Sequence, residues 1–207
     1  MADTGVVARG RNTPQTLSEQ VDSGTAELSP DPDRPNAWLL RLNGTAQSHV
    51  DLDDPTHLEF EYVQRLGHVV DLMAPPNKPL RALHLGGGGF TVPAYVEATR
   101  PGSDQLVLEL DGGLVDLDKR ELGLRTGPKL RTRIGDARVG LAEQAADASD
   151  LVVGDAFGHL VVPWHLATRE MAADISRTLR EGGIYAQNGG GDLISPFDGI
   201  IGTFPVK

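Results

Sequence analysis

The sequence predicts an α/β protein: a parallel sheet with helices on both faces, preceded by a small antiparallel unit. Three observations predict it. From Leu80 onward short apolar runs alternate with amphipathic ones, four glycines (Gly86–Gly89) follow the first apolar run, and Asn43-Gly44 separates two strand-like segments. Strand–helix alternation with apolar strands implies right-handed crossovers and a sheet buried on both faces.

At 207 residues the chain fits one medium domain with a small appendage, large enough to bury a core without staples. It contains no Cys, which excludes disulfides and thiolate metal sites. The net charge of −10 repels phosphate backbones, so nucleic acid is not an expected partner; solubility is its simplest role. No apolar run near the N-terminus is long enough for a signal peptide or anchor, so a cytoplasmic location with no membrane partner is expected.

Residues 1–23 are polar, poor in aromatics and aperiodic, and are expected to be a disordered leader. Residues 24–74 form the small subdomain. Strands are expected at Thr25–Leu28, Ala37–Leu42 and Thr45–Val50, with Asn43-Gly44 as a type I′ hairpin turn needing positive φ at both positions. Thr56 with Glu59 has the capping-box spacing, and Leu58, Tyr62, Leu66, Val69, Val70 and Met73 form one apolar helix face against which this sheet should pack. Pro75-Pro76-Asn77-Lys78-Pro79 must end that helix.

Residues 80–188 carry the alternation. Strands are expected at Arg81–Leu85, Gln105–Leu110, Leu130–Ile134, Leu151–Gly154 and Ile184–Gln187. Helices are expected at Thr91–Thr99, Leu114–Leu122, Val139–Ala146 and Pro163–Arg180, the last stopped by Gly182-Gly183. Residues 189–207 are expected to be an irregular tail.

The strongest chemical signal is the Gly86–Gly89 run at the end of the first parallel strand. Glycines there permit a sharp turn and close approach of a ligand to the backbone, at a helix N-terminus with free N–H groups. A plain structural turn needs fewer glycines, so ligand binding is favoured. The dinucleotide pattern G-x-G-x-x-G would need a third Gly at position 91, which is Thr91, and a second mononucleotide-binding half, which the chain does not present. Glu109, ending the second strand, suits a ribose diol. Asp136, in Gly135-Asp136-Ala137 after the third strand, can accept from an adenine amino group, although Gly-Asp also makes ordinary turns. Asp155 closes the fourth strand and can accept a proton, hold a cationic amine or simply cap a turn. The six histidines show no ligand-like spacing, so no metal is expected, and His84 reads as a core residue with a satisfied ring.

Taken in order, these segments resemble the spermidine synthase family of polyamine aminopropyltransferases over about residues 42–188. Leu42-Asn-Gly-Thr-Ala-Gln47 is similar to the family's L-D-G-x-x-Q hairpin and Leu58-Glu-Phe-Glu-Tyr62 to its D-E-F-x-Y helix start. Leu85–Gly88, Leu108–Asp111, Gly135–Ala137 and Asp155 follow in the family's order. The resemblance implies a Rossmann-like class I S-adenosylmethionine-methyltransferase fold with an N-terminal β-hairpin subdomain, here lacking the usual final antiparallel strands, and a homodimer. It implies that Gln47, Gly86, Gly87 and Gly88 contact the nucleoside or its aminopropyl arm, that Glu109 holds the ribose, and that Asp136 and Ala137 meet the adenine. Tyr62 and Asp155 would be the catalytic pair facing the attacking amine. The resemblance further implies no tightly bound cofactor, with decarboxylated S-adenosylmethionine, or S-adenosylmethionine itself, as co-substrate and a small amine as acceptor.

The departures define the alternatives. The family loop G-G-G-D-G-G has an acid where this chain has Gly89 and Phe90; the second acid of the family's D-x-x-D is Gly158; and the polar residue after the family Tyr is Val63. A small-molecule methyltransferase using the same pocket, or a non-catalytic nucleoside-binding relic, therefore stands beside the aminopropyltransferase reading, and little spermidine synthase activity is expected.

Overall fold

The computed structural model describes residues 15–157, 162–189 and 201–202. The first sheet is an antiparallel meander, β1 (Leu17–Val21), β2 (Gly24–Pro30), β3 (Ala37–Leu42) and β4 (Thr45–Asp51), in that order. The hairpin is built as its sequence requires: Asn43 has φ 50° and Gly44 φ 78°. Asn43 also accepts from the Thr25 N–H and donates to the Ser23 carbonyl, both at 2.9 Å, tying the turn to β2.

Strand β1 corrects the expectation of a disordered leader reaching residue 23. Leu17 and Val21 alternate inward with Glu19 between them, and all five residues pair with β2. Two apolar residues in a polar stretch are too few to show a period of two, yet enough to seal the sheet edge once a partner strand exists. Residues 1–14 lie outside the described residues.

Helix α1 (Glu61–Met73) starts later than the capping box predicts, with Phe60 at its N-cap and no side-chain cap. Asp54 captures the Thr56 hydroxyl at 2.6 Å, so Thr56 belongs to a turn before the helix. Beyond the helix, Arg100 is buried and donates to the carbonyls of Val70, Asp71, Ala74 and Pro75 at 2.6–3.0 Å. It thereby satisfies the carbonyls at the helix end and adds a second donor to Pro75, whose carbonyl also accepts from the Lys78 N–H.

The second sheet contains β5 (Arg81–Leu85), β6 (Asp104–Glu109), β7 (Leu130–Ile134), β8 (Ser149–Gly154), β9 (Leu179–Gln187) and β10 (Ile201–Gly202), in the order β10-β9-β8-β5-β6-β7. The pairings among β5 to β9 are all parallel, and β10 joins β9 antiparallel. Of the tail expected to be irregular, these two residues are therefore strand; 190–200 and 203–207 lie outside the described residues. From β5 the chain winds one way to β6 and β7, then returns to β8 and β9 on the other side. The crevice between β5 and β8 is therefore a topological switch point, where open α/β sheets bind ligands.

Helices α2 (Thr91–Thr99), α3 (Gly112–Glu121), α4 (Ala137–Ala142) and α5 (Arg169–Thr178) connect the strands. One face of the sheet packs Val96 and Val153 with Val69 and Val70 of α1; the other packs Leu83 and Val152 with Leu141 and Ile175. The N-terminal sheet sets Ala26, Leu28 and Leu40 against Leu114 and Leu117 of α3 and the following Leu122, not against the α1 face that the sequence suggested. The single helix expected over Pro163–Arg180 is a 3-10 turn at Trp164–Leu166 followed by α5, because Thr168 accepts the Met171 N–H and starts a new helix. Gly182-Gly183 does not stop that helix; Leu179, fully buried, turns the chain directly into β9, and Gly182 takes φ 72° inside the strand segment. Among the described residues no helix is long and apolar enough to cross a membrane.

Candidate functional site at the carboxyl rim of the sheet

The loop after β5 can exist only with small residues. At Gly86 (φ 97°) a Cβ would lie 2.5 Å from the Asp155 carbonyl oxygen, so β5 and β8 approach there as only glycine permits. Glu109, at the end of β6, organises the loop: one carboxylate oxygen accepts from the Gly87 N–H at 2.6 Å and lies 3.4 Å from the Gly88 nitrogen, and the other accepts from the Asp111 N–H at 2.9 Å. The oxygen that accepts from Asp111 retains a further lone-pair direction for a ligand hydroxyl.

Above this loop lies a cavity of about 350 Å³, in the range of small-molecule sites. Eight of the nine residues singled out from the sequence line it: Gln47, Tyr62, Gly86, Gly88, Glu109, Asp136, Ala137 and Asp155. The ninth, Gly87, lines a smaller space behind the loop. Several different strand ends supply these groups, so distance in sequence is no guide to their proximity. No Lys or Arg is among the described lining residues, and Asp111 adds a further carboxylate.

The carboxylates have different tasks. Asp111 caps α3 through the Leu114 N–H and accepts from the N–H groups of Asp22 and Ser23, fastening the β1–β2 turn to the rim. Asp136 caps α4; burial works against its charge, but the Val139 N–H, the His165 ring and the Arg138 N–H hold its carboxyl below the usual range. It is therefore an acceptor at neutral pH. Asp155 behaves oppositely. Burial pushes its carboxyl up to about 6, a hydrogen bond from Asn188 at 3.0 Å partly offsets this, and the Glu109 charge adds to the rise. Tyr62 is held protonated, far above its ordinary value, by burial and then by the Asp155 charge; its hydroxyl donates to the Gln47 carbonyl at 3.3 Å.

Three residues of this arrangement escaped the sequence reading. Asn188 directly follows β9, so the rule that ligands sit beyond strand ends could have found it. Ser48 in β4 accepts the Gly89 N–H at 2.9 Å, and His165 meets Asp136 at 2.9 Å; each contact depends on chain packing and has no local signal. The structure also shows what stands at Gly89, where the family loop has an acid. A Cβ there would meet Val50 Cγ2 at 2.8 Å and Ser48 Cβ at 2.9 Å, so β4 fills that space. Val63 is buried in the α1 core, and Gly158 lies outside the described residues. No group of three or more acids and histidines placed to hold a metal occurs among the described residues. His84 corrects one expectation: its Nε2 meets Gln105 at 2.9 Å, but its buried Nδ1 has no partner among the described residues.

A doubly wound parallel sheet with a glycine loop at the switch point and carboxylates on three further strand ends defines a Rossmann-like, class I S-adenosylmethionine-methyltransferase-type fold. Comparison with known proteins narrows the class. A probable spermidine synthase from Corynebacterium glutamicum is 30% identical and superposes with a TM-score of 0.78 over 86% of this chain and 64% of its own. A spermidine synthase solved with the transition-state analogue AdoDATO shares the fold at 19% identity and a TM-score of 0.64, over 84% of this chain and 57% of its own. Among curated proteins, the polyamine aminopropyltransferase of Vibrio vulnificus is 29% identical over 113 residues, 54% of this chain and 38% of that protein. No protein-family model matches the sequence. The chain is spermidine synthase-like in sequence and fold, and it spans less than two thirds of the length of these relatives.

Proposed function

We propose that the rim cavity binds the adenosyl part of decarboxylated S-adenosylmethionine or methylthioadenosine, and that the chain performs aminopropyltransferase-type chemistry on a small amine. The observation that carries this reading is the convergence of the glycine loop, Glu109, Asp136 and Asp155 on one cavity without a described Lys or Arg lining it. A ligand whose reacting end is a sulfonium and an ammonium suits such a lining. The carboxylate of S-adenosylmethionine has no described side-chain cation to meet there, which sets the methyltransferase reading second. In the reaction an amine lone pair forms a bond to the propyl carbon while the C–S bond breaks and its electrons return to sulfur. The proton shed by the new ammonium passes to Asp155, whose value near 6 suits a base. Glu109 holds the ribose, Asp136 with Ala137 the adenine, and Gln47 with the glycines the arm.

The filled space at Gly89 and the buried Val63 support a further reading, a nucleoside-binding protein without turnover. All three readings require the pocket. Calorimetry with methylthioadenosine should show binding that weakens by about 1.5–3 kcal/mol in Glu109→Ala, the range for hydrogen bonds to a charged group. Glu109→Gln, which keeps one acceptor for the loop, should lose less. Equal affinity in all three proteins would remove the pocket assignment.

A further inference from the structure

Behind the glycine loop, on the α1 side of the sheet, lies a second and much smaller space of about 10 Å³, lined by His84, Tyr62, Asp155, Ser48 and Gly87 among others. Strand register puts His84 and Asp155 there together. His84 on β5 pairs with Val153 on β8, and Asp155 follows Val153 by two, so both side chains leave the same face of the sheet. The His84 tautomer is set from behind. Gln105 donates its amide N–H to the Pro93 carbonyl at 3.1 Å, so its oxygen is the atom that meets His84, and Nε2 carries the hydrogen. Nδ1 is then a bare acceptor on a side chain only 1% exposed, with no hydrogen-bond partner among the described residues.

We propose that this space is a buried water site through which His84 holds the Asp155 carboxylate in place. A space of this size takes about one water, and a buried water needs two to four polar partners, which His84 Nδ1, Asp155, Tyr62 Oη and Ser48 Oγ can supply. The donor count gives the water's orientation. Thr91 Oγ1 already donates to the His49 carbonyl, the Gly87 N–H to Glu109 and the Tyr62 hydroxyl to the Gln47 carbonyl, and the Ser48 hydroxyl is placed to donate to the water oxygen, so the water's two hydrogens go to Nδ1 and to the Asp155 carboxylate. Burial lowers the His84 ring to about 4, which keeps Nδ1 an acceptor across the neutral range. No proton changes owner; His84 is a positioning residue that acts on Asp155 through the water. The other groups facing Asp155 are Asn188 after β9, Glu109 on β6 and Tyr62 on α1.

The test reads Asp155 directly, in protein without nucleoside, so its outcome stands apart from that of the proposed activity. The carboxyl midpoint of Asp155, followed by carbon NMR, should rise by about half a pH unit or more in His84→Leu, because a hydrogen bond to the charged form is lost. In wild type, the nitrogen shift of His84 Nδ1 should be that of a hydrogen-bonded acceptor, and an ordered water should bridge it to Asp155 in a high-resolution crystal structure. An unchanged midpoint in a folded variant overturns the proposal. Where the variant fails to fold, a free-acceptor Nδ1 shift or an ordered site without water does the same.

Discussion

Asp118 lies on α3 with no solvent exposure, and neither carboxyl oxygen has a hydrogen-bond partner among the described residues. Burial first, then the charges of Glu109 and Asp111, push its carboxyl up to about 8. The folded-state value lies above the unfolded one, so the native chain keeps a proton that the unfolded chain has released. The stabilisation this represents is complete below about pH 4 and is lost as pH rises through 8. Urea unfolding of wild type should therefore show stability falling between pH 5 and pH 9, with a contribution from Asp155 of the same sign. Asp118→Asn, which cannot ionise, should flatten that profile and gain about 2–4 kcal/mol relative to wild type at the alkaline end. Parallel profiles for the two proteins would mean that water or a partner reaches the carboxyl. The same charges connect this residue to the site: Glu109 raises both Asp118 and Asp155 while its own oxygens hold the glycine loop.

Among the secondary-structure elements, α3 joins the N-terminal meander to the nucleotide-fold sheet. Leu114, Leu117 and Leu122 turn toward Ala26, Leu28 and Leu40, and Asp111 at the start of the same helix binds the β1–β2 turn. Strand β1 is thus the edge of the meander, and Ser23, in the turn that follows it, lines the cavity. A shortened chain beginning at residue 24 should lose about 5–10 °C in thermal midpoint, since Leu17, Val21 and five ladder pairings are lost from a domain of this size. One beginning at residue 15 keeps all of these contacts and should melt close to the full chain. Equal midpoints for both would show that β1 adds nothing to the fold.

Taken whole, the molecule presents an acidic cavity whose recognition groups differ from those the family pattern requires. Moving an aminopropyl group to putrescine needs both ends of a dication held while one deprotonated amine aligns with the carbon beside the sulfonium, and such alignment is worth several kcal/mol of barrier. Gly89 offers no acid, and β4 occupies the space where one would sit; Val63 offers none either. Methylthioadenosine release from decarboxylated S-adenosylmethionine with putrescine should therefore run far below about 1 per second, the low end of ordinary enzyme turnover. A rate at or above that value would show that other groups replace the missing acids. Larger or less charged amines are the acceptors to assay beside it, and turnover on any of them should rise as Asp155 ionises near pH 6.

Elements with local signals are legible in the order of amino acids alone. Apolar runs between turn residues define β5 to β8 to within two residues, positive-φ demand at Asn43-Gly44 defines the hairpin, and strand–helix alternation defines the parallel sheet. The same pattern places Glu109, Asp136 and Asp155 on one rim, because the carboxyl ends of parallel strands face the same side. Features that depend on contacts across the chain emerge only in three dimensions. Strand β1 exists because β2 offers it a ladder; its own two apolar residues carry too weak a period to be read. The meander packs on α3 because that helix presents leucines where the sheet's buried face arrives, and no sequence spacing encodes that meeting. Thr56 has a capping spacing, but Asp54, two residues earlier, is a nearer acceptor. His165 beside Asp136 and Asn188 on Asp155 are pairings across 29 and 33 residues of chain. Such pairings arise only when the strands are set in register, and they tune the charges of the site, whereas the strand ends alone place its atoms.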